Sequence, residues 1–240
     1  MDLKNIPYLQ LSKRRQKLEN LFKKKKSIIF DFDGTIADSL HLHENAFKKA
    51  LAIHSVKFEY KDHLGMSTED AMRAIFISNR YAIDEAELKR LTKEKRTLAN
   101  ELYKNALQFI PGALAFIELL HVNRFRLFIG SSGSRLNVTT GLHKLGIDKY
   151  FEMIVTADDI SCSKPHPEVF QKILDSKKMD PASVLVIEDA ESGIQAAIAA
   201  GLDVVCINNE LKIARVADKH VWFADFKSLS NQLQSRLPHA

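Results

Sequence analysis

The sequence predicts an α/β fold: a parallel sheet flanked by helices, with an all-helical segment inserted behind the first strand. Three observations predict it. Ile28-Ile29-Phe30 is apolar at consecutive positions, as a strand covered on both faces requires. Over residues 40–107 apolar side chains recur only at helical spacing. Beyond Pro111-Gly112, short apolar runs alternate with helical patterns, the order expected of successive β-α-β units.

The elements follow in chain order. Leu9, Leu11, Leu18, Leu21 and Phe22 suit an amphipathic helix lying on the core. The first strand comes directly after Lys23-Lys24-Lys25-Lys26. In the inserted segment one helical stripe holds Leu42, Ala46, Phe47, Ala50 and Leu51. A second holds Ala71, Met72, Ile75 and Phe76, and a third Leu88, Leu91, Leu98, Leu102 and Tyr103. Ser67 through Asp70 reads as an N-cap with acids in the first turn. Phe109-Ile110-Pro111-Gly112 breaks the pattern. Helices are then expected over 113–122, 135–145, 167–175 and 192–200, with strands over 126–129, 153–155, 184–187 and 204–207. The resulting division is a basic N-terminal extension (1–26), a core (27–39 and 108–240) and a helical cap (40–107).

Composition narrows the class. At 240 residues, 45% hydrophobic and 27% charged, the chain suits one ample core or a core plus a small insert. No apolar run approaches the roughly 20 residues that cross a bilayer, and no apolar stretch leads to a signal-type cleavage site. Cys162 and Cys206 form neither a disulfide framework nor a CxxC pattern, so a reducing cytoplasm is the expected compartment. The net charge of +5 is unevenly spread: residues 1–26 hold nine Lys or Arg against Asp2 and Glu19, or +7, which leaves −2 for the rest. This extension reads first as a solvated helix face, with contact to an anionic surface as its functional alternative. No zinc-finger, RNA-recognition or helix-turn-helix pattern accompanies it, so nucleic acid is not the expected partner. The pattern carries no reading of oligomeric state.

Chemistry concentrates where the first strand ends, in Asp31-Phe32-Asp33-Gly34-Thr35-Ile36-Ala37-Asp38-Ser39. Open α/β sheets place their ligand crevices at the carboxyl ends of strands. Two carboxylates that close repel each other unless a cation or a raised pKa relieves them. The pair therefore suggests a hard metal ion and acid–base work. Three further strand ends carry polar groups: Gly130-Ser131-Ser132-Gly133, Ser163-Lys164-Pro165-His166-Pro167, and Glu188-Asp189 before Ser192-Gly193.

The Asp-Phe-Asp-Gly-Thr motif with these three downstream motifs resembles the haloacid dehalogenase-like superfamily, in its β-phosphoglucomutase-like and phosphoglycolate phosphatase-like branch. The resemblance implies a Rossmann-like core with an inserted helical cap, and phosphoryl transfer through an aspartyl phosphate. It implies Asp31 as nucleophile, Asp33 as general acid and base, Ser131 and the Ser132 backbone N–H on the phosphate, and Lys164 as the fixed ammonium. Gly34 and Thr35 are expected beside the phosphate. Mg²⁺ is the implied cofactor, held by Asp31, Asp189, Glu188 directly or as an orienting group, and the Asp33 backbone carbonyl. In the cap, His43, Gly65 and Thr68 match substrate-binding positions. At Thr68 the mutases of this branch carry a phosphate-gripping arginine, although Arg73 and Arg80 are not far away. The expected activity is thus hydrolysis of a small phosphorylated metabolite, of sugar phosphate or phosphoglycolate type. A sugar phosphomutase is the nearest rival, and a non-catalytic anionic-surface binder using residues 1–26 a rival of another class. Cys162 and His166 read as loop residues.

Overall fold

Strand β1 (Ser27–Phe30) is buried along its whole length because it sits inside a six-stranded parallel sheet. The computed structural model describes residues 21–207 and 220–233. The other strands are β2 (Arg126–Gly130), β3 (Phe151–Val155), β4 (Val184–Glu188), β5 (Asp203–Ile207) and β6 (His220–Phe223), in the order β3-β2-β1-β4-β5-β6. Ile28 pairs with Leu127 on one side and Leu185 on the other. Side chains alternate across the sheet. Ile28, Phe30, Ile129 and Ile187 pack on one face against α4 (Ala113–Val122), α5 (Arg135–Leu145) and α8 (Phe226–Leu233). Ile29, Phe128 and Val186 pack on the other against α6 (Glu168–Lys177) and α7 (Glu191–Ala199). Each fully buried Ile or Phe contributes roughly 1.5–3 kcal/mol of transfer free energy, which is why β1 has no polar side.

The described elements between β1 and α4 are helical: α1 (Leu40–Ala50), a short 3₁₀ turn (Tyr60–His63), α2 (Thr68–Ser78) and α3 (Glu85–Ala106). They enclose a core of their own around Phe47, Met72, Ile75, Phe76, Leu88 and Leu91. Ser67 caps α2 by accepting from Asp70 N at 3.2 Å, as the sequence predicts, and Asp84 caps α3 by accepting from Glu87 N at 2.8 Å. The chain leaves and re-enters the sheet layer side by side. Asp38 N donates to Gln108 O at 2.9 Å and Ile110 N to Ile36 O at 2.8 Å. These paired crossings fix where the helical unit hangs over the carboxyl ends of the strands.

Some details differ from the sequence reading. Strand β3 begins at Phe151 rather than 153, because Glu152 pairs with Arg126 of β2 at 2.7 Å and a charged residue hides the strand. Strand β6 and helix α8 were not anticipated; the strand is recognised by its parallel pairing with β5. Lys25 does not lie on a solvated face. Its Nζ reaches Asp203 Oδ2 at 2.6 Å and Ala182 O at 2.9 Å, and the residue is only 6% exposed. Residues 1–20 of the basic extension, and the anionic-surface contact read for it, lie outside the described residues. No helix among the described residues is long and apolar enough to cross a membrane.

Candidate active site

The strand order reverses at β1 and β4, and the acidic residues cluster there. Asp31 follows β1 directly, held to β4 by its N–H donating to Ile187 O at 2.9 Å. Glu188 ends β4 and Asp189 comes next. Lys164, from the loop before α6, reaches into the same place. Its Nζ lies 2.6 Å from Asp31 Oδ1, 2.6 Å from Glu188 Oε1 and 2.9 Å from Gly130 O. The second oxygen of Glu188 accepts from Asp189 N at 2.9 Å and Ala190 N at 3.0 Å, so Glu188 steers Lys164 as well as joining the cluster.

Three buried carboxylates thus face one buried ammonium. Burial, with the charges of Glu188 and Asp189, holds the Asp31 carboxyl well above the usual range despite Lys164. Burial and the neighbouring Glu188 push Asp189 up to about 8, against the Thr35 hydrogen bond and Lys164. Burial alone would lower Lys164, but Asp31 and Glu188 together raise it, so its charge stays. One oxygen each of Asp31, Glu188 and Asp189 lies within 4.8 Å of the others. A surplus of negative charge in an all-oxygen cluster is the donor set a hard divalent cation such as Mg²⁺ prefers. The residues fit that ion. Because it must displace the proton held on Asp189, its apparent affinity should rise about tenfold per pH unit up to about pH 8 and then level off. Calorimetric titrations at pH 6, 7 and 8 check this; an affinity flat over that range would contradict it.

Asp33 turns the other way, toward the helical unit. Its Oδ1 accepts from Ser39 Oγ at 2.7 Å and from the Tyr103 hydroxyl, and faces His43 Nε2 at 3.2 Å. Tyr103 Oη is 2.7 Å from His43 Nε2, and His43 Nδ1 is 2.6 Å from Lys95 Nζ. One proton order satisfies the whole chain: Lys95 donates to Nδ1, Nε2–H donates to Tyr103 Oη, and Tyr103 donates to Asp33. Burial by itself would raise Asp33. The charge and hydrogen bond at His43, then the Tyr103 and Ser39 hydroxyls, outweigh it and hold Asp33 at about 2. Burial lowers both His43 and Lys95, the latter to about 7. At 2.6 Å the two nitrogens share one proton between them. Whether that proton rests on Lys95 or on His43, one positive charge stands behind Asp33. Tyr103→Phe should therefore let the Asp33 pKa rise, move the low-pH limb of kcat/KM upward and cost about 1–2 kcal/mol of stability. A pH–rate profile with an unmoved acid limb would reduce Tyr103 to a packing residue.

A pocket lies between these groups, lined by Asp31, Asp33, Ser131, Ser132 and Gly133 from the core and by His43, Tyr60, His63, Gly65, Thr68 and Lys95 from the helical unit. Ser131 Oγ accepts from Gly133 N at 2.9 Å, and Gly133 is so near Asp33 that a Cβ there would stand 2.9 Å from its Oδ2. The buried Ser132 hydroxyl has no hydrogen-bond partner among the described residues, as for a donor reserved for a ligand. Gly34 and Thr35, expected beside the phosphate, do not line the pocket. Gly34 adopts φ +87° with a Cβ that would collide with the Asp189 carboxylate, and the Thr35 hydroxyl donates to Asp189 Oδ1 at 2.7 Å. Both shape the acidic cluster instead. Gly65, at φ +75°, brings the helical unit against Ser192, whose side chain a Cβ would overlap. Thr68 opens α2 with its hydroxyl 3.5 Å from Lys95 Nζ. Arg73 is held on the surface by Glu85 at 2.6 Å, Arg80 is exposed, and neither lines the pocket.

Sequence reasoning missed Ser39, Tyr60, His63, Lys95 and the hydroxyl of Tyr103. A signal existed for two of them. Lys95 and Tyr103 fall on the stripe marked by Leu88 and Leu91, where a cation and a phenol need a buried partner.

Residues 28–207 match the family model described as haloacid dehalogenase-like hydrolase. A phosphorylated carbohydrates phosphatase of Thermotoga maritima is 27% identical over 185 residues, covering 74% of this chain and 82% of that protein. A fructose-1-phosphate phosphatase of Escherichia coli is 27% identical over 188 residues, covering 77% and 97%. Among solved structures, a β-phosphoglucomutase of Clostridium difficile superposes with a TM-score of 0.76 at 23% identity, covering 90% of this chain and all of that one, and so shares the fold. With a family match spanning most of the chain, and all four motifs inside it, this protein belongs to the haloacid dehalogenase-like hydrolases.

Proposed function

We propose that the protein is a Mg²⁺-dependent phosphatase acting on a small phosphorylated sugar through an aspartyl phosphate on Asp31. The observation that carries this is one pocket lined by two carboxylates in opposite environments, Asp31 beside the acidic cluster and Lys164, Asp33 beside hydroxyls and a shared cation. An Asp31 oxygen attacks phosphorus while the bond to the leaving oxygen breaks, and Asp33 gives that oxygen a proton. Asp33 then takes a proton from water, whose oxygen attacks phosphorus and frees Asp31. With its pKa held at about 2, Asp33 is ionised and so has the free oxygen that the second role requires. A phosphate dianion docked beside it opposes ionisation and raises that pKa for the first. Lys164 and the Ser131–Gly133 turn hold the phosphoryl oxygens. Bound at Asp31 and Asp189, Mg²⁺ would supply charge neutralisation for phosphate approach and transfer.

The relatives named for phosphorylated carbohydrates and fructose 1-phosphate support a sugar phosphate. Hydrolysis is favoured over phosphomutation because, among the described residues, no arginine lines the pocket to grip a second phosphate. Release of inorganic phosphate from sugar phosphates, phosphoglycolate, nucleotides and pyrophosphate, with Mg²⁺ or a chelator, tests the reading. Sugar phosphates should lead and the chelator should abolish release. Release from none of them would end it, and glucose 6-phosphate formed from β-glucose 1-phosphate and a bisphosphate primer would favour the mutase.

A further inference from the structure

We propose that the loop carrying Lys164 holds a second metal site, for a thiophilic divalent ion such as Zn²⁺, formed by Cys162, His166 and Glu168. One donor atom from each lies within 4.8 Å of the other two. The three come from seven consecutive residues, and both Cys162 and His166 are exposed, so an ion has a free approach. The carboxylate is already positioned. Glu168 Oε1 accepts from Ser161 N at 2.9 Å and Oε2 from Cys162 N at 2.8 Å. Those two bonds also hold its pKa below the usual range, so it is ionised and retains lone pairs for a metal. The backbone between the donors is restrained: His166 N donates to Ser163 O at 3.0 Å, and Pro165 and Pro167 flank the imidazole. A 3.3 Å contact from Glu168 N to His166 Nδ1 keeps the ring over the start of α6. Lys172, whose charge also reaches Glu168, is engaged at the Asp159 carbonyl.

The donor chemistry separates this site from the acidic cluster. Thiolate, imidazole and carboxylate together select Zn²⁺ or Co²⁺, whereas three carboxylates suit Mg²⁺. Tetrahedral Zn²⁺ with bonds of about 2.0–2.3 Å places its donors roughly 3.3–3.8 Å apart. Side-chain rotation at exposed Cys162 and His166 closes the remaining gap, and water fills the fourth position. Binding converts the Cys162 thiol to thiolate and releases its proton to buffer. The site does not rest on the reaction proposed above.

The test uses the reduced full-length protein saturated with Mg²⁺ and titrated with Co²⁺. A thiolate-to-cobalt charge-transfer band should develop to one equivalent and disappear on addition of one equivalent of Zn²⁺. It should vanish in Cys162→Ser, weaken at least tenfold in affinity in His166→Ala, and persist in Asp31→Asn. Absence of the band in the wild-type protein, or its survival in Cys162→Ser, would overturn the site. Circular dichroism of the two surface variants, expected to be unchanged, guards against misfolding as the cause of a lost band.

Discussion

Asp31→Asn should lower turnover by about four orders of magnitude or more while the protein stays folded. The amide keeps the shape of the carboxyl but cannot attack phosphorus, so the covalent step is lost outright rather than slowed. Folding should survive because the charged form of Asp31 is already disfavoured by burial and by Glu188 and Asp189. An amide oxygen can still accept from Lys164, which now lies 2.6 Å from Asp31 Oδ1. Phosphate release under saturating Mg²⁺, with a thermal melt alongside, decides the matter. A folded variant retaining more than about one hundredth of wild-type turnover would remove Asp31 from the nucleophile role.

Lys164→Ala should damage both stability and rate. Lys164 is 3% exposed, and its ammonium bridges Asp31 and Glu188 at 2.6 Å each. Removing one partner of a buried ion pair leaves uncompensated charge and typically costs about 3–5 kcal/mol. In a domain this size that lowers Tm by roughly 6–20 °C. Loss of a fixed cation at the transferring phosphoryl group should cost about a further hundredfold or more in kcat. The two effects separate on adding Mg²⁺: a cation among the same carboxylates should restore part of the lost stability without restoring the rate. A Tm within two degrees of wild type would show that Lys164 contributes no more than a surface ion pair does.

Much of this was legible because the governing signals are local. An apolar run ending in Asp31-Phe32-Asp33 reads as a buried strand delivering carboxylates to its tip, and it is one. The stripes through Phe47, Ile75 and Leu91 read as helices and do form a common core. What was not legible is non-local. Thr35 looks like a phosphate ligand in its motif, yet its hydroxyl is taken by Asp189, 154 residues away. Lys25 looks like one of four solvated lysines until β5 brings Asp203 beside it. Strand β6 takes its place only by pairing with β5, through contacts such as Val205 with Val221.

By itself, then, the sequence determined the α/β class, the inserted helices and three of the four strand ends read as bearing polar groups, because periodicity and turn chemistry are written within a few residues; Lys164 comes instead from the loop before α6. Only the tertiary structure decided how charge is distributed over those groups. Burial and neighbouring carboxylates drive Asp31 and Asp189 up, while partners from the helices drive Asp33 down against burial. Such shifts depend on distances of a few ångströms between residues far apart in the chain, and interactions at that range change steeply with separation and burial.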